Sequence, residues 1–394
     1  MWTRTFQLLG AAALLTLAAA CGGGGDGGGA GTGTLRLALA DNPTCGYDEV
    51  NVTVEKVRLH QSEAAGDGAA GWQEITLDTP QTLNLLHLTN GVLEELGQTA
   101  LPAGTYTQVR LVLAPNTGNQ ADKNWIVLTD DPSSTPIALK TPSGQQSGLK
   151  INVGITVAAD QLADIVLDVD ACKSVVMAGG SGQYLFKPVV RAIPRTQTGV
   201  LGEVSLALAG AGATVSLQQD GVVKRATVAD IDGQFKLQPV EPGTYTLVVV
   251  APGHATAVVK QVEVGSGQLV RVAPAGEKID PPVSADATID GTVATGEAEI
   301  NASVALLQSL TAGPDIRLID RVVDSVSGAY ELTDVPVAAP VVAGFAAGAS
   351  LTFVPDNGRA GVFTLRATAG DQTDAVDLGP LAGGDTASQD FTFP

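Results

Sequence analysis

Catalytic side chains are scarce in this sequence. There are three histidines, His60, His87 and His254, and none lies in an HExxH pattern. No GxSxG elbow, phosphate-binding loop or dinucleotide fingerprint follows a strand-like stretch. These absences leave no assembled nucleophile, base or metal cluster, and no cofactor is expected. Charge is sparse, at 16% of residues, and lopsided, with 22 basic against 41 acidic residues and a net charge of −19. Such a surface repels nucleic acid, so no nucleic-acid partner is expected. Aromatics make up 4% of the chain. The only long apolar run, Leu8 to Ala20, is too short to span a bilayer as a helix.

What is present is glycine and proline, 47 and 21 residues among 394. With alternating apolar positions between them, they describe many short strands joined by tight turns. The fold class expected is all-β, as tandem β-sandwich domains. One phrase recurs. LPAGTYTQVRLVLA at Leu101–Ala114 is a turn feeding a strand, and EPGTYTLVVVAPG at Glu241–Gly253 repeats it. A weaker echo, LTDVPVAAPVVAG, lies at Leu332–Gly344. Repetition of one unit points to a string of related domains with independent cores. Gly104 and Gly243 are expected where a Cβ is resisted, with the Tyr106 and Tyr245 hydroxyls tied back to the turn.

The N-terminus reads as a targeting segment (1–20), with Arg4 before the apolar run. Ala18, Ala19 and Ala20 leading into Cys21 resemble the bacterial lipobox, although the usual leucine position holds Ala18. That resemblance implies acylation of Cys21, with membrane attachment through its acyl chains. The alternative is ordinary cleavage that leaves a free thiol. Gly22 at the second position implies, by resemblance to Gram-negative sorting, the outer membrane, facing the periplasm or the cell surface. Residues 21–33 form a glycine-rich tether with a reach of about 20 Å.

Residues 34–195 carry LALADNP, DEVNVTVEKVRLH, LLHLTNG, LPAGTYTQVRLVLA, TPSGQQSGLK, DACKSV and FKPVV in order. Together these resemble a bacterial lipoprotein family built on an all-β domain of unknown function. Within this stretch, Asn90 is expected to cap a helical turn ending at Gly97, and Asp41 matches an acidic position of the family. Cys45 and Cys172, in an exported context, are expected to pair, closing a loop of about 130 residues worth up to about 5 kcal/mol; the alternative is two buried thiols. No second Cys or His lies at ligand spacing around either, so no metal site is expected there.

Residues 198–274 resemble the carboxypeptidase regulatory-like, transthyretin-like sandwich through AGATVSLQQDG, ATVADIDGQFKL and EPGTYTLVVVAPGHA. Asp232-Gly233 marks a hairpin there, and the spacing from Asp230 does not fit a calcium loop. A linker at 275–286 leads to a degenerate repeat at 287–394, in which SGAYEL parallels DGQFKL.

The ligand candidates are few. Asp168 and Asp170 share one strand face, where they would chelate a hard cation, act as paired carboxylates or form a solvated face. Trp72 and Trp125 would stack on sugar rings or pack in the core. The function expected is a non-enzymatic cell-envelope lipoprotein presenting its domains for adhesion, scaffolding or ligand binding, with a glycan or an envelope protein as partner. The competing class is a carbohydrate-active or other hydrolytic protein using Asp41, Asp168 and Asp170.

Overall fold

The computed structural model describes residues 31–394 apart from 43–46, 130–131, 142–143, 145–146, 180–181 and 298. Cys21, Cys45, the targeting segment and nearly all of the tether therefore lie outside the described residues. The chain is all-β, in tandem sandwich-like domains. Among the described residues three main apolar cores form: one within Leu35–Phe186, one within Val200–Ile279 that also takes Val341, and one within Ala287–Phe393.

The first domain comprises β1 (Thr32–Asn42), β2 (Tyr47–His60), β3 (Gln73–Asn84), β4 (Glu94–Pro102), β5 (Gly104–Leu113), β6 (Trp125–Leu128), β7 (Ile137–Lys140), β8 (Leu149–Val157), β9 (Leu162–Asp170), the one-turn α1 (Ala171–Ser174), β10 (Val175–Met177), β11 (Tyr184–Phe186) and β12 (Val190–Pro194). One sheet runs β12-β9-β1-β4, and a larger one contains β2, β5, β8 and the short strands beside them. Leu35, Leu37 and Leu39 on β1 and Ile165, Leu167 and Val169 on β9 supply the inner face of the smaller sheet, as their period of two requires. Pro80 is tolerated within β3 because that strand pairs only with β2 and so forms an edge. The helical turn expected after Asn90 is absent. Residues from Glu94 instead pair with β1 as strand β4, because a free sheet edge outweighs the weak helix preference of one short segment.

The second domain contains β13 (Gly199–Glu203), α2 (Leu206–Gly210), β14 (Thr214–Gln219), β15 (Val222–Val228), β16 (Gln234–Leu237), β17 (Gly243–Val250), β18 (Ala257–Val264) and β19 (Leu269–Arg271). The third contains β20 (Asp286–Ala294), β21 (Ala302–Ser309), β22 (Asp315–Val322), β23 (Ala329–Pro336), β24 (Val341–Gly344), β25 (Val354–Pro355), β26 (Phe363–Ala369), β27 (Gln372–Leu378), β28 (Thr386–Ser388) and β29 (Phe391–Thr392). Strand β24, the second half of the weak echo, joins the second domain's sheet by pairing in parallel with β18, and β25 follows it.

The repeated turn performs the same task twice. The Tyr106 hydroxyl donates to the Pro102 carbonyl at 3.0 Å, and the Tyr245 hydroxyl to the Glu241 carbonyl at 2.6 Å, each reaching four residues back. Both rings are buried. The two glycines differ, however. Gly104 has φ +153°, whereas Gly243 does not adopt a positive φ, so the expected backbone strain applies to only one of the turns. The hairpin glycine is the more demanding position. Gly233 has φ +82°, and a Cβ there would lie 2.3 Å from the Val204 carbonyl oxygen.

Independent cores linked like beads do not describe the assembly. Val248 and Val258 of the second domain pack with Leu310 and Ile316 of the third in a separate apolar cluster. Gln218 exchanges two hydrogen bonds with the Arg317 backbone, at 2.7 and 2.8 Å. The outward faces of several strands, on which independence depended, are covered by a neighbouring domain.

Candidate functional site

Parity separates the acidic candidates. In the parallel pairing of β1 with β9, Ala40 lies opposite Asp168 and Asp41 opposite Val169. Asp41 therefore follows Leu35, Leu37 and Leu39 onto the core face, while Asp168 points outward. Asp41 is fully buried and accepts a hydrogen bond from the Ala171 backbone N–H at 3.0 Å. The carboxylate thus ties the end of β1 to the start of α1, immediately after β9.

Asp168 is buried although it lies on the outer face, because the second domain docks there. Its Oδ1 pairs with Arg225 Nη1 of β15, and both side chains are 2% exposed. Its Oδ2 faces Arg191 Nη2 at 3.4 Å, across the β9–β12 pairing. Arg191 also donates to the Val223 carbonyl at 3.1 Å. A solvated acidic face is not what forms; the carboxylate is the centre of a two-arginine lock between domains. Nearby, Asn90 adopts φ +54°, and its Oδ1 accepts from Lys236 N–H at 3.0 Å and from the Thr227 hydroxyl at 3.1 Å. The residue expected to start a helix instead fastens the second domain to the first.

Asp170 caps α1, accepting from Lys173 N–H at 3.1 Å, and its carboxylate lies 3.3 Å from Lys173 Nζ. Lys173 reaches on to Asp320 of the third domain at 3.0 Å, and Asp320 also receives Arg317. Burial pushes the Asp170 carboxyl up, against the pull of Lys173. Burial pushes the Lys173 ammonium down, but Asp320 and Asp170 outweigh it, so its pKa lies above the ordinary value. Thus Asp168 binds the second domain and the Asp170–Lys173 pair binds the third. Among the described residues, no group of three or more His, Cys, Asp or Glu side chains is placed to hold a metal ion. Asp230, the residue that suggested a calcium loop, accepts from the N–H groups of Asp232 and Gln234 at 3.1 and 2.8 Å, as an Asx-turn requires.

Trp72 is half-buried, with the Arg58 and Arg110 guanidinium carbons 4.5 and 4.8 Å from its ring centroid and the His60 ring 5.0 Å away. Its indole N–H donates to the Gly66 carbonyl at 2.9 Å. Trp125, also half-buried, donates to Glu49 Oε2 at 3.2 Å. Cys172 lies in α1, two residues beyond Asp170. Cys45, its expected partner, is outside the described residues.

The residues missed by sequence reasoning are Arg225, Arg191 and Asn90. A signal existed: the outward positions of β1 include Ala38 and Ala40, and those of β9 include Val166, all fully buried. Small and apolar residues on the outside of a sandwich sheet mark a face covered by something else. A cleft of about 980 Å³ opens between the first and third domains, lined from one side by Lys150, Lys173 and Lys187 and from the other by Glu299, Asn301 and Ser303. Neither Asp41 nor Asp168 lines it. Among the described residues, no helix is long and apolar enough to cross a membrane.

Residues 32–188 match the family described as Domain of unknown function (DUF4382). Residues 200–275 match the carboxypeptidase regulatory-like domain. No curated protein sequence matches the chain. Similar solved structures include the Bacillus anthracis TIE protein, at 13% identity over 92% of this chain, with a TM-score of 0.19; the chain spans 51% of the length of that protein. A Streptococcal ancillary pilin is 9% identical over 91% of this chain and 99% of its own, with a TM-score of 0.17. BcpA, the major pilin subunit of Bacillus cereus, is 9% identical over 92% of this chain and 99% of its own, with a TM-score of 0.15. At these TM-scores the likeness carries no weight for function.

Proposed function

We propose that this chain, whose first domain belongs to the DUF4382 family and whose second is a carboxypeptidase regulatory-like domain, is a non-enzymatic cell-envelope lipoprotein. Acyl chains on Cys21 hold it to the outer membrane, and residues 22–33 carry a head of three mutually braced β-domains away from the lipid. The head serves in adhesion, scaffolding or the capture of a ligand. One observation carries this reading: the acidic residues that could have done chemistry are used to join domains. Asp168 is sealed by Arg225, and Asp170 acts with Lys173 toward Asp320. A glycosidase requires two carboxyls facing one another across a cleft, and Asp41 and Asp168 point to opposite faces of their sheet. That weighs against the hydrolytic alternative. A disulfide between Cys45 and Cys172 belongs to the same reading. It is supported by Asn42 and Asp170 lying opposite each other where β1 and β9 end, which brings the chain near Cys45 toward Cys172.

The test is fractionation of cells expressing the full chain or its Cys21→Ser variant. The parent should take up labelled acyl chain and sediment with the outer membrane, and the variant should do neither. Equal labelling and sedimentation of the two would overturn the proposal.

A further inference from the structure

The cleft between the first and third domains is basic, although the protein has a net charge of −19. Arg110, Lys150, Lys173 and Lys187 line it against Asp67 and Glu299. It is built from segments that the sequence singled out and the domain-bracing contacts do not fully explain. Ser147–Lys150 close the TPSGQQSGLK motif, and Phe186–Val189 are most of FKPVV. All eight residues line the cleft.

Two features in and behind its wall suit an anion. The first is a row of like charges. Arg58 on β2 lies directly opposite Arg110 on β5, and Arg110 directly opposite Lys150 on β8. Cations directly opposite one another across antiparallel strands destabilise a sheet. Arg58 is relieved by Glu74, and Arg110 by Asp67. Lys150, exposed at the cleft, has no ion-pair partner among the described residues. The second is Arg110 itself. Its side chain is 8% exposed, and Nη1 and Nη2 donate to the Ser147 and Ala65 carbonyls at 3.0 and 2.9 Å, so the contact with Asp67 is the one a ligand carboxylate would replace. The acids that face these cations are loosely held. Asp67 and Glu299 are each 61% exposed, so their pairs with Arg110 and Lys187 are readily exchanged for a ligand carboxylate.

We propose that this cleft binds a carboxylate-bearing oligosaccharide. Lys150, Lys187 and Arg110 would take the carboxylates, and Asn301, Ser303 and Thr368 on the opposite wall would meet the sugar hydroxyls. At about 980 Å³ the cleft is at the upper end of small-ligand sites, large enough for several sugar rings. The inference rests on the ligand-capture part of the proposed function and deepens it. Loss of binding with membrane attachment intact would count against the cleft alone.

The experiment is titration calorimetry at low salt, on the full chain purified in detergent, with tetragalacturonate and with neutral maltotetraose. Tetragalacturonate should bind at least about tenfold more tightly than maltotetraose, and added salt should weaken it. Lys150→Glu, at an exposed position opposite Arg110, should be at least as stable as the parent, because it replaces a like-charge pair by an opposite-charge one, and should lose about tenfold in affinity. Glu299→Gln should gain about threefold by freeing Lys187. Lys224→Glu, at an exposed position of β15 that does not line the cleft, should leave affinity unchanged. Absence of tetragalacturonate binding at millimolar concentration, equal binding of maltotetraose, or full affinity in Lys150→Glu would each overturn the proposal.

Discussion

Replacing Arg225 by methionine tests whether the domains are braced as described. The substitution keeps most of the apolar stem and removes the guanidinium from a pair in which both side chains are 2% exposed. Asp168 would retain only Arg191, 3.4 Å away and 45% exposed. Breaking a buried pair by deleting one partner costs about 3–5 kcal/mol, and the remaining arginine places this case near the lower end, at about 3 kcal/mol. That corresponds to a fall in melting temperature of about 6–12 °C. Asp168→Leu alone should cost at least as much, because it leaves Arg225 buried and unpaired. The double variant Asp168→Leu, Arg225→Met should come back to within about 1 kcal/mol of the parent, since an apolar pair carries no desolvation penalty. Differential scanning calorimetry and urea unfolding should show a coupling well above about 2 kcal/mol across this cycle. The pair also joins two domains, so transitions that overlap in the parent should separate in each single variant. A single variant losing less than about 1 kcal/mol, or a double variant as unstable as the two losses added, would refute the reasoning.

Gly233→Ala should cost at least about 2 kcal/mol, because φ is +82° and the new methyl meets the Val204 carbonyl, whereas Gly243→Ala should stay within about 0.5 kcal/mol; chemical denaturation of both checks the contrast. Tyr106→Phe and Tyr245→Phe should each lose about 1 kcal/mol, the net value of one hydroxyl-to-carbonyl bond. Burial pushes the Asp324 carboxyl up, but hydrogen bonds from Ser327, Val326 and Gly179 outweigh it and hold its pKa below the ordinary value. A depressed folded pKa contributes stability that is present above the unfolded value near 4 and is lost as pH falls through the folded one. Asp324→Asn should therefore flatten the stability profile below about pH 4, and an unchanged acid limb would contradict the assignment. Peptide mapping of non-reduced protein should recover a Cys45–Cys172 peptide, and alkylation of both thiols without reductant would exclude it.

The sequence alone determined strand alternation and the hydrogen bonds of the tight turns. Alternation in TLRLALA (Thr34–Ala40) and in DEVNVTVEKVRLH placed Leu35, Leu37, Leu39, Val50, Val52 and Val54 in a core, because a strand has a side-chain period of two whatever it packs against. The Pro-Gly turns with their tyrosines, and the Asp232-Gly233 hairpin, were legible because their hydrogen bonds close within four residues. The Asn90 helix failed because the competing partner, the edge of β1, lies more than fifty residues away in the chain. The sites failed for the same reason. Asp168 and Asp170 lie two apart on β9, but burial of that face depends on Arg225, 57 residues further on, and on Asp320, which lies in another domain. Whether a carboxylate on a sheet meets water, a cation or a buried arginine is set by what covers the sheet. That is a matter of contacts between domains, and no pattern within one strand records which domain makes them.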